Sequence, residues 1–75
     1  MRWESIIGEN LRRARKARGL SQEKLAAEVD LDMRQLGRIE RGESFPSVGS
    51  LIKLAEVLGM EPAELLRRDL RQARQ

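Results

Sequence analysis

Seventy-five residues, with 15 Lys and Arg against 12 Asp and Glu, make one small domain of net charge +3. The absence of Cys and His excludes disulfides, thiolate metal sites and imidazole chemistry, so neither a metal nor a cofactor is expected. With 40% hydrophobic and 36% charged residues the chain reads as globular rather than disordered. Its start, "MRWESIIGEN", is no signal peptide and no apolar run is long enough to span a bilayer, so a cytoplasmic, nucleoid-associated setting is expected.

Gly and Pro punctuate a chain otherwise made of helix formers, and no stretch alternates with period two, so the expected fold is an all-α, compact five-helix bundle. The first helix is expected from Ser5 to Arg18, with Ile7, Leu11, Ala14 and Arg18 on one face and Gly19 ending it. It carries a basic cluster: residues 1–20 hold Arg2, Arg12, Arg13, Arg15, Lys16 and Arg18 against Glu4 and Glu9. The second helix runs from Ser21 to Val29 and buries Leu25, Ala26 and Val29. A corner of two or three residues at Asp30 and Leu31 leads to the third, capped by Asp32 and closed by Gly42. That spacing is the length of a helix-turn-helix corner, here at residues 21–41. The fourth helix, Ser47 to Leu58, is expected to bury Val48, Leu51, Ile52, Ala55 and Leu58. The fifth starts at Pro62, a good first-turn residue, and is expected to reach Asp69 or beyond, to about residue 73. A second basic cluster, Arg67, Arg68, Arg71 and Arg74 against Asp69, lies at this end. Basic residues gathered at both ends suit a polyanionic partner, though they also serve solubility.

The third helix carries the functional signal. At about 100° per residue, Leu36 and Ile39 point one way, while Arg34, Arg38 and Arg41 fall within about 60° of one another on the other side, with Gln35 beside them. Arg pairs bidentately with the major-groove edge of guanine and Gln with adenine, so this face suits reading double-stranded DNA. A solvated arginine stripe would look the same in isolation. Glu40 falls on the inward side, where an unpaired carboxylate is costly. Arg15, at the edge of the first helix's apolar stripe, is the cation expected to reach it. The other course for Glu40 is to bend outward to a surface arginine. Gly37, in mid-helix, costs about 1 kcal/mol against Ala, and close approach of a neighbouring backbone is its expected reason.

Three fragments in register, "RKARGLSQEKLA", "LGRIERGESFPS" and "LIKLAEVLG", resemble the Cro-like, phage-repressor (xenobiotic-response-element type) helix-turn-helix regulators, and Gly37 suggests kinship with restriction–modification controller proteins. The resemblance covers about Gly8 to Leu66. It implies a lambda-repressor-like domain that binds a pseudo-palindromic operator as a homodimer, as a repressor or autoregulator. It implies that Met33, Arg34, Gln35 and Arg38 face bases, that Gln22 contacts a phosphate while bracing the recognition helix, and that Arg15 and Glu40 form an interhelical ion pair. Arg41 and Ser44 are the further phosphate candidates. The chain departs from the family at Asp30, where Gly is usual; at Asp32, where Ser or Thr is usual; in the weakly basic loop "GESFP"; and at Glu61, an unusual start for the last helix.

A dimer seam is expected at Leu58, Ala63, Leu66 and Leu70, with Ala73 continuing the spacing; packing of the same stripe on its own domain, against Trp3, is the competing arrangement. Some domains of this fold serve mainly as protein–protein modules, as antitoxins do, with DNA secondary, and that is the rival function. An enzyme is not expected: there is no His, no Cys, no phosphate-binding Gly loop and no convergent acid pair.

Overall fold

The computed structural model describes residues 2–68. Among them the chain forms five helices: α1 (Trp3–Ala17), α2 (Gln22–Glu28), α3 (Met33–Glu40), α4 (Val48–Val57) and α5 (Pro62–Leu65). No strand occurs among the described residues. The second, third and fourth helices follow the expected spans once caps are counted, whereas the first begins at Trp3, two residues before the expected Ser5. Ser21, Asp32 and Ser47 each accept a hydrogen bond from the backbone N–H three residues on, from Lys24, Gln35 and Ser50, satisfying donors that a helix start leaves free.

The exits share one chemistry as well. Glu43 N–H donates to Arg38 O (2.9 Å) and Gly42 N–H to Ile39 O (3.1 Å), which closes α3 in a Schellman motif around a left-handed residue, Gly42 (φ 77°). Gly42 has a second duty: a Cβ there would lie 2.9 Å from Ser5 Oγ, so the turn sits on the start of α1. After α2 the left-handed residue is Asp30 (φ 58°), with Leu31 N–H bonded to Ala26 O. Asp tolerates this conformation better than most residues but less well than Gly. Lys53 lies 3.6 Å from its exposed carboxylate, a contact of small value. Asp30→Gly is therefore expected to stabilise the fold by roughly 0.5–1 kcal/mol, read as a rise in the urea midpoint at constant slope.

Leu11, Leu25, Ala26, Val29, Leu36, Ile39, Leu54, Ala55, Leu58 and Leu65 form the core. Three expectations are overturned here. In α4 the buried face is Leu54, Ala55 and Leu58, while Val48 is 74% and Ile52 42% exposed. The helix carries more apolar residues than one face can bury, and docking selects a face rotated from the expected one. Leu58 has no exposed surface; it is enclosed within its own domain and is not available to a dimer seam. On α1, Arg18 faces solvent rather than the core.

The fifth helix also differs from expectation. It ends at Leu65, and residues 66–68 are not helical. Asn10 of α1 explains the stop: its Nδ2 donates to Leu65 O (2.9 Å) and to Arg67 O (2.7 Å). A continuing helix would use the Leu65 carbonyl for its own next turn. The start of α5 is held by Glu64, whose carboxylate accepts from Glu61 N–H (2.9 Å). Leu65 enters the core, whereas Ala63 and Leu66 remain exposed. Leu70 and Ala73 lie outside the described residues.

Candidate nucleic-acid interface

The outward face of α3 is held in place from behind by an ionic cluster. Arg15 of α1 donates from Nε to Glu40 Oε2 (2.7 Å) and from Nη2 to Glu40 Oε1 (3.1 Å). Its Nη1 donates to Leu20 O (2.7 Å) in the turn before α2. Gln22, in the first turn of α2, donates from Nε2 to Glu40 Oε1 (2.9 Å). The Glu40 side chain is 2% exposed and that of Arg15 10%. One carboxylate thus ties together α1, the turn, the start of α2 and α3, and charge-assisted bidentate bonds of this kind are directional as well as strong. Among the described residues no buried side-chain nitrogen or oxygen lacks a partner.

Gly8 lets the two helices come this close. An alanine Cβ there would overlap Ile39 O and sit 2.8 Å from Glu40 O, so only a hydrogen fits between α1 and the last turn of α3. Gly37, by contrast, has no neighbouring backbone. The three atoms nearest to its missing Cβ all belong to the guanidinium of Arg41, with Nη1 at 3.0 Å. The close approach expected at Gly37 is made at Gly8.

On the outward side, Met33, Arg34, Gln35 and Arg38 are exposed together on α3. Gln35 does two jobs. Its N–H donates to Asp32 Oδ1 (2.7 Å) and its Oε1 accepts from Asp32 N–H (3.2 Å), a reciprocal capping box. The amide nitrogen remains directed by that bond and free to donate. A cleft of about 250 Å³ beside it is lined by Gln35, Arg38, Ser44, Phe45, and Ser47 and Ser50 at the start of α4. Ser44 therefore lies beside Gln35 and Arg38. Gln22 commits one amide donor to Glu40, and an amide nitrogen carries two. Arg41 is paired within its own loop: Nε donates to Glu43 Oε2 (2.9 Å) and Nη2 to Glu43 Oε1 (3.3 Å). The hydrogen bond to Glu43 and its charge hold Arg41 above the ordinary arginine value. In turn, the hydrogen bond from Arg41 holds the Glu43 carboxyl below its usual range, opposed by desolvation and aided by the charges of Arg41 and Arg38.

Sequence reading missed Gly8, Asn10 and Glu43. The capping box was readable as Asp32 followed three residues later by Gln35; the other three depend on contacts between distant elements or on the turn geometry after α3. No helix among the described residues is long and apolar enough to cross a membrane, and those residues gather no His, Cys, Asp or Glu cluster able to hold a metal.

Known proteins place this arrangement in a family. Residues 11–65 match the helix-turn-helix family. Control protein C.BamHI of Bacillus amyloliquefaciens is 37% identical over 62 residues, covering 81% of this chain and 76% of that protein. The crystal structure of the restriction-modification controller protein C.AhdI from Aeromonas hydrophila superposes with a TM-score of 0.79 at 44% identity, over 83% of this chain and 94% of that one. SinR, a master regulator for biofilm formation solved in complex with DNA, superposes with a TM-score of 0.77 at 32% identity, over 81% and 98% of the two chains. The chain belongs to the helix-turn-helix family, in the company of DNA-binding transcriptional regulators and restriction–modification controller proteins rather than enzymes.

Proposed function

We propose that this protein is a sequence-specific regulator of transcription that binds a pseudo-palindromic double-stranded operator as a homodimer, acting on the chromosome in the cytoplasm as a repressor or autoregulator. The observation that carries the reading is the outward face of α3, with Arg34, Gln35 and Arg38 exposed together over a rigid ionic anchor. Arg34, Gln35 and Arg38 read base edges with Met33 at the helix start, and Gln22, Ser44 and Arg41 meet phosphates. The dimer joins through Ala63 and Leu66, both exposed, with Leu66 lining a groove together with Trp3, and sets two half-sites about one helical turn apart.

Selection of bound duplexes from a random pool tests this directly, and a two-fold site is the expected product. Binding to that site should weaken linearly in log–log form as salt rises. Affinity that stays flat between low and moderate salt removes the phosphate contacts from the account. Arg38→Ala should cost about 1–3 kcal/mol at one base position and relax preference there, whereas Gln22→Ala should weaken all sequences alike. An equal loss on every sequence for Arg38→Ala would take that residue out of base readout. Sedimentation of Leu66→Glu checks the seam: a monomer is expected, and an undisturbed dimer places the seam elsewhere.

A further inference from the structure

We propose that Glu43 is a positioning residue of the DNA-binding face: in the free protein it holds Arg41 folded back over Gly37, and it surrenders that guanidinium to a phosphate when a duplex binds. The inference rests on the DNA-binding reading above.

Three features build the contact. The Schellman turn fixes the Glu43 backbone, whose N–H is bonded to Arg38 O, so the carboxylate projects from the end of α3 itself. It meets Arg41 through two parallel bonds, Nε to Oε2 and Nη2 to Oε1, the fork geometry with which arginine also grips a phosphate. Gly37 gives the guanidinium its seat. Among the described residues only the guanidinium of Arg41 stands close to where a side chain at Gly37 would begin, and Gly37 is buried although no other described element covers it at that distance.

Both side chains are more than half exposed, at 59% and 53%, so water screens the pair and it opens easily. That suits a reversible hold rather than a structural bond. Glu43 occupies the Nε–Nη2 edge of the guanidinium, one of the bidentate edges open to a phosphate, and it sits within the field of Arg38 as well as Arg41. Once a phosphate takes Arg41, the released carboxylate needs a cation in place of that guanidinium, whereas without Arg41 it already holds one before the duplex arrives. Net ion release on binding is thereby reduced by about one.

The test uses a labelled duplex selected by the wild-type protein, titrated by anisotropy across a salt series. The variants are Glu43→Gln, Arg41→Ala and the two combined. Glu43→Gln should bind about 3- to 10-fold tighter, with a log–log salt slope steeper by about 0.9. In the Arg41→Ala background the same change should do little, within about two-fold. A Glu43→Gln protein no tighter than wild type overturns the proposal. So does a gain that persists in full without Arg41, because Glu43 then acts by general repulsion. A second measurement needs no DNA: the Arg41 Nε–H should exchange with water more slowly in wild type than in Glu43→Gln. Equal exchange means that the hold does not exist, even if DNA binding is intact. Failure of the wild type to bind any duplex, with slow exchange retained, sinks the DNA reading and the role of Glu43 with it while leaving the contact standing.

Discussion

Replacing Glu40 with alanine should lower the free energy of unfolding by about 3–5 kcal/mol, the cost of leaving one partner of a buried ion pair alone. For a domain of 75 residues the whole stability is on the order of 4–11 kcal/mol, so the loss removes roughly half of it and a sharply lowered urea midpoint is expected. The loss is large because Arg15 has nowhere else to go. Its Nη1 stays bonded to Leu20 O, while Nε and Nη2 lose both acceptors inside a site that admits little water. Gln22 loses its acceptor too. Arg15→Ala should cost nearly as much, with Gln22 as the only remaining side-chain donor to Glu40 among the described residues.

The net worth of the pair is a different quantity. Two charges withdrawn from water lose hydration that their attraction only partly restores. The double change Arg15→Met with Glu40→Leu should therefore recover most of the stability lost by either single removal. Urea unfolding of wild type, Arg15→Met, Glu40→Leu and the double variant closes the cycle, and a double variant as unstable as the worse single one would show that the pair itself is the stabiliser. DNA binding by the double variant then reports something stability does not. The cluster joins α1, the turn, α2 and α3 at fixed distances, so a folded protein that has lost it should hold α3 at a less defined angle and bind its operator more weakly.

Much of this was legible in the chain. Caps and glycines mark the first four helices because both act locally, within three or four residues. Glu40 was readable because a charge among apolar positions demands a partner, and Arg15 was the cation at hand. The rest depends on tertiary choice. α4 offers Val48, Leu51, Ile52, Leu54, Ala55, Val57 and Leu58, and periodicity alone does not say which arc of that cylinder docks. The end of α5 is set by Asn10, whose acceptor at Leu65 is 55 residues away. The glycines are the clearest instance. Gly37 and Gly8 both lie in helices, and nothing local distinguishes the one that faces a backbone from the one that seats a side chain. On the outward side of α3, the shared exposure of Arg34, Gln35 and Arg38 was readable from the wheel, but Arg41 looked like one more guanidinium of that stripe. Its engagement by Glu43 required the turn at Gly42 to be drawn.

That difference between glycines yields the second large effect. Gly8→Ala should destabilise the domain by about 1–3 kcal/mol, even though alanine is the better helix former by about 1 kcal/mol. The methyl group would meet Ile39 O and Glu40 O, both main-chain atoms of α3, which have no rotamer to change. Relief requires α1 and α3 to separate, and Arg15, two turns further along the same face of α1, would be drawn away from Glu40 with it. Overpacking and a stretched ion pair then add. Gly49→Ala is the matched control: it is also helical, is exposed, and has nothing within 4 Å of the new methyl. There the propensity gain acts alone, and a stabilisation of roughly 0.5–1 kcal/mol is expected. Opposite signs in thermal or urea unfolding of these two substitutions would locate the α1–α3 contact at Gly8. If Gly8→Ala instead stabilised the protein as Gly49→Ala does, the two helices would have to lie further apart than this packing requires, and the geometry that presents α3 to DNA would need to be redrawn.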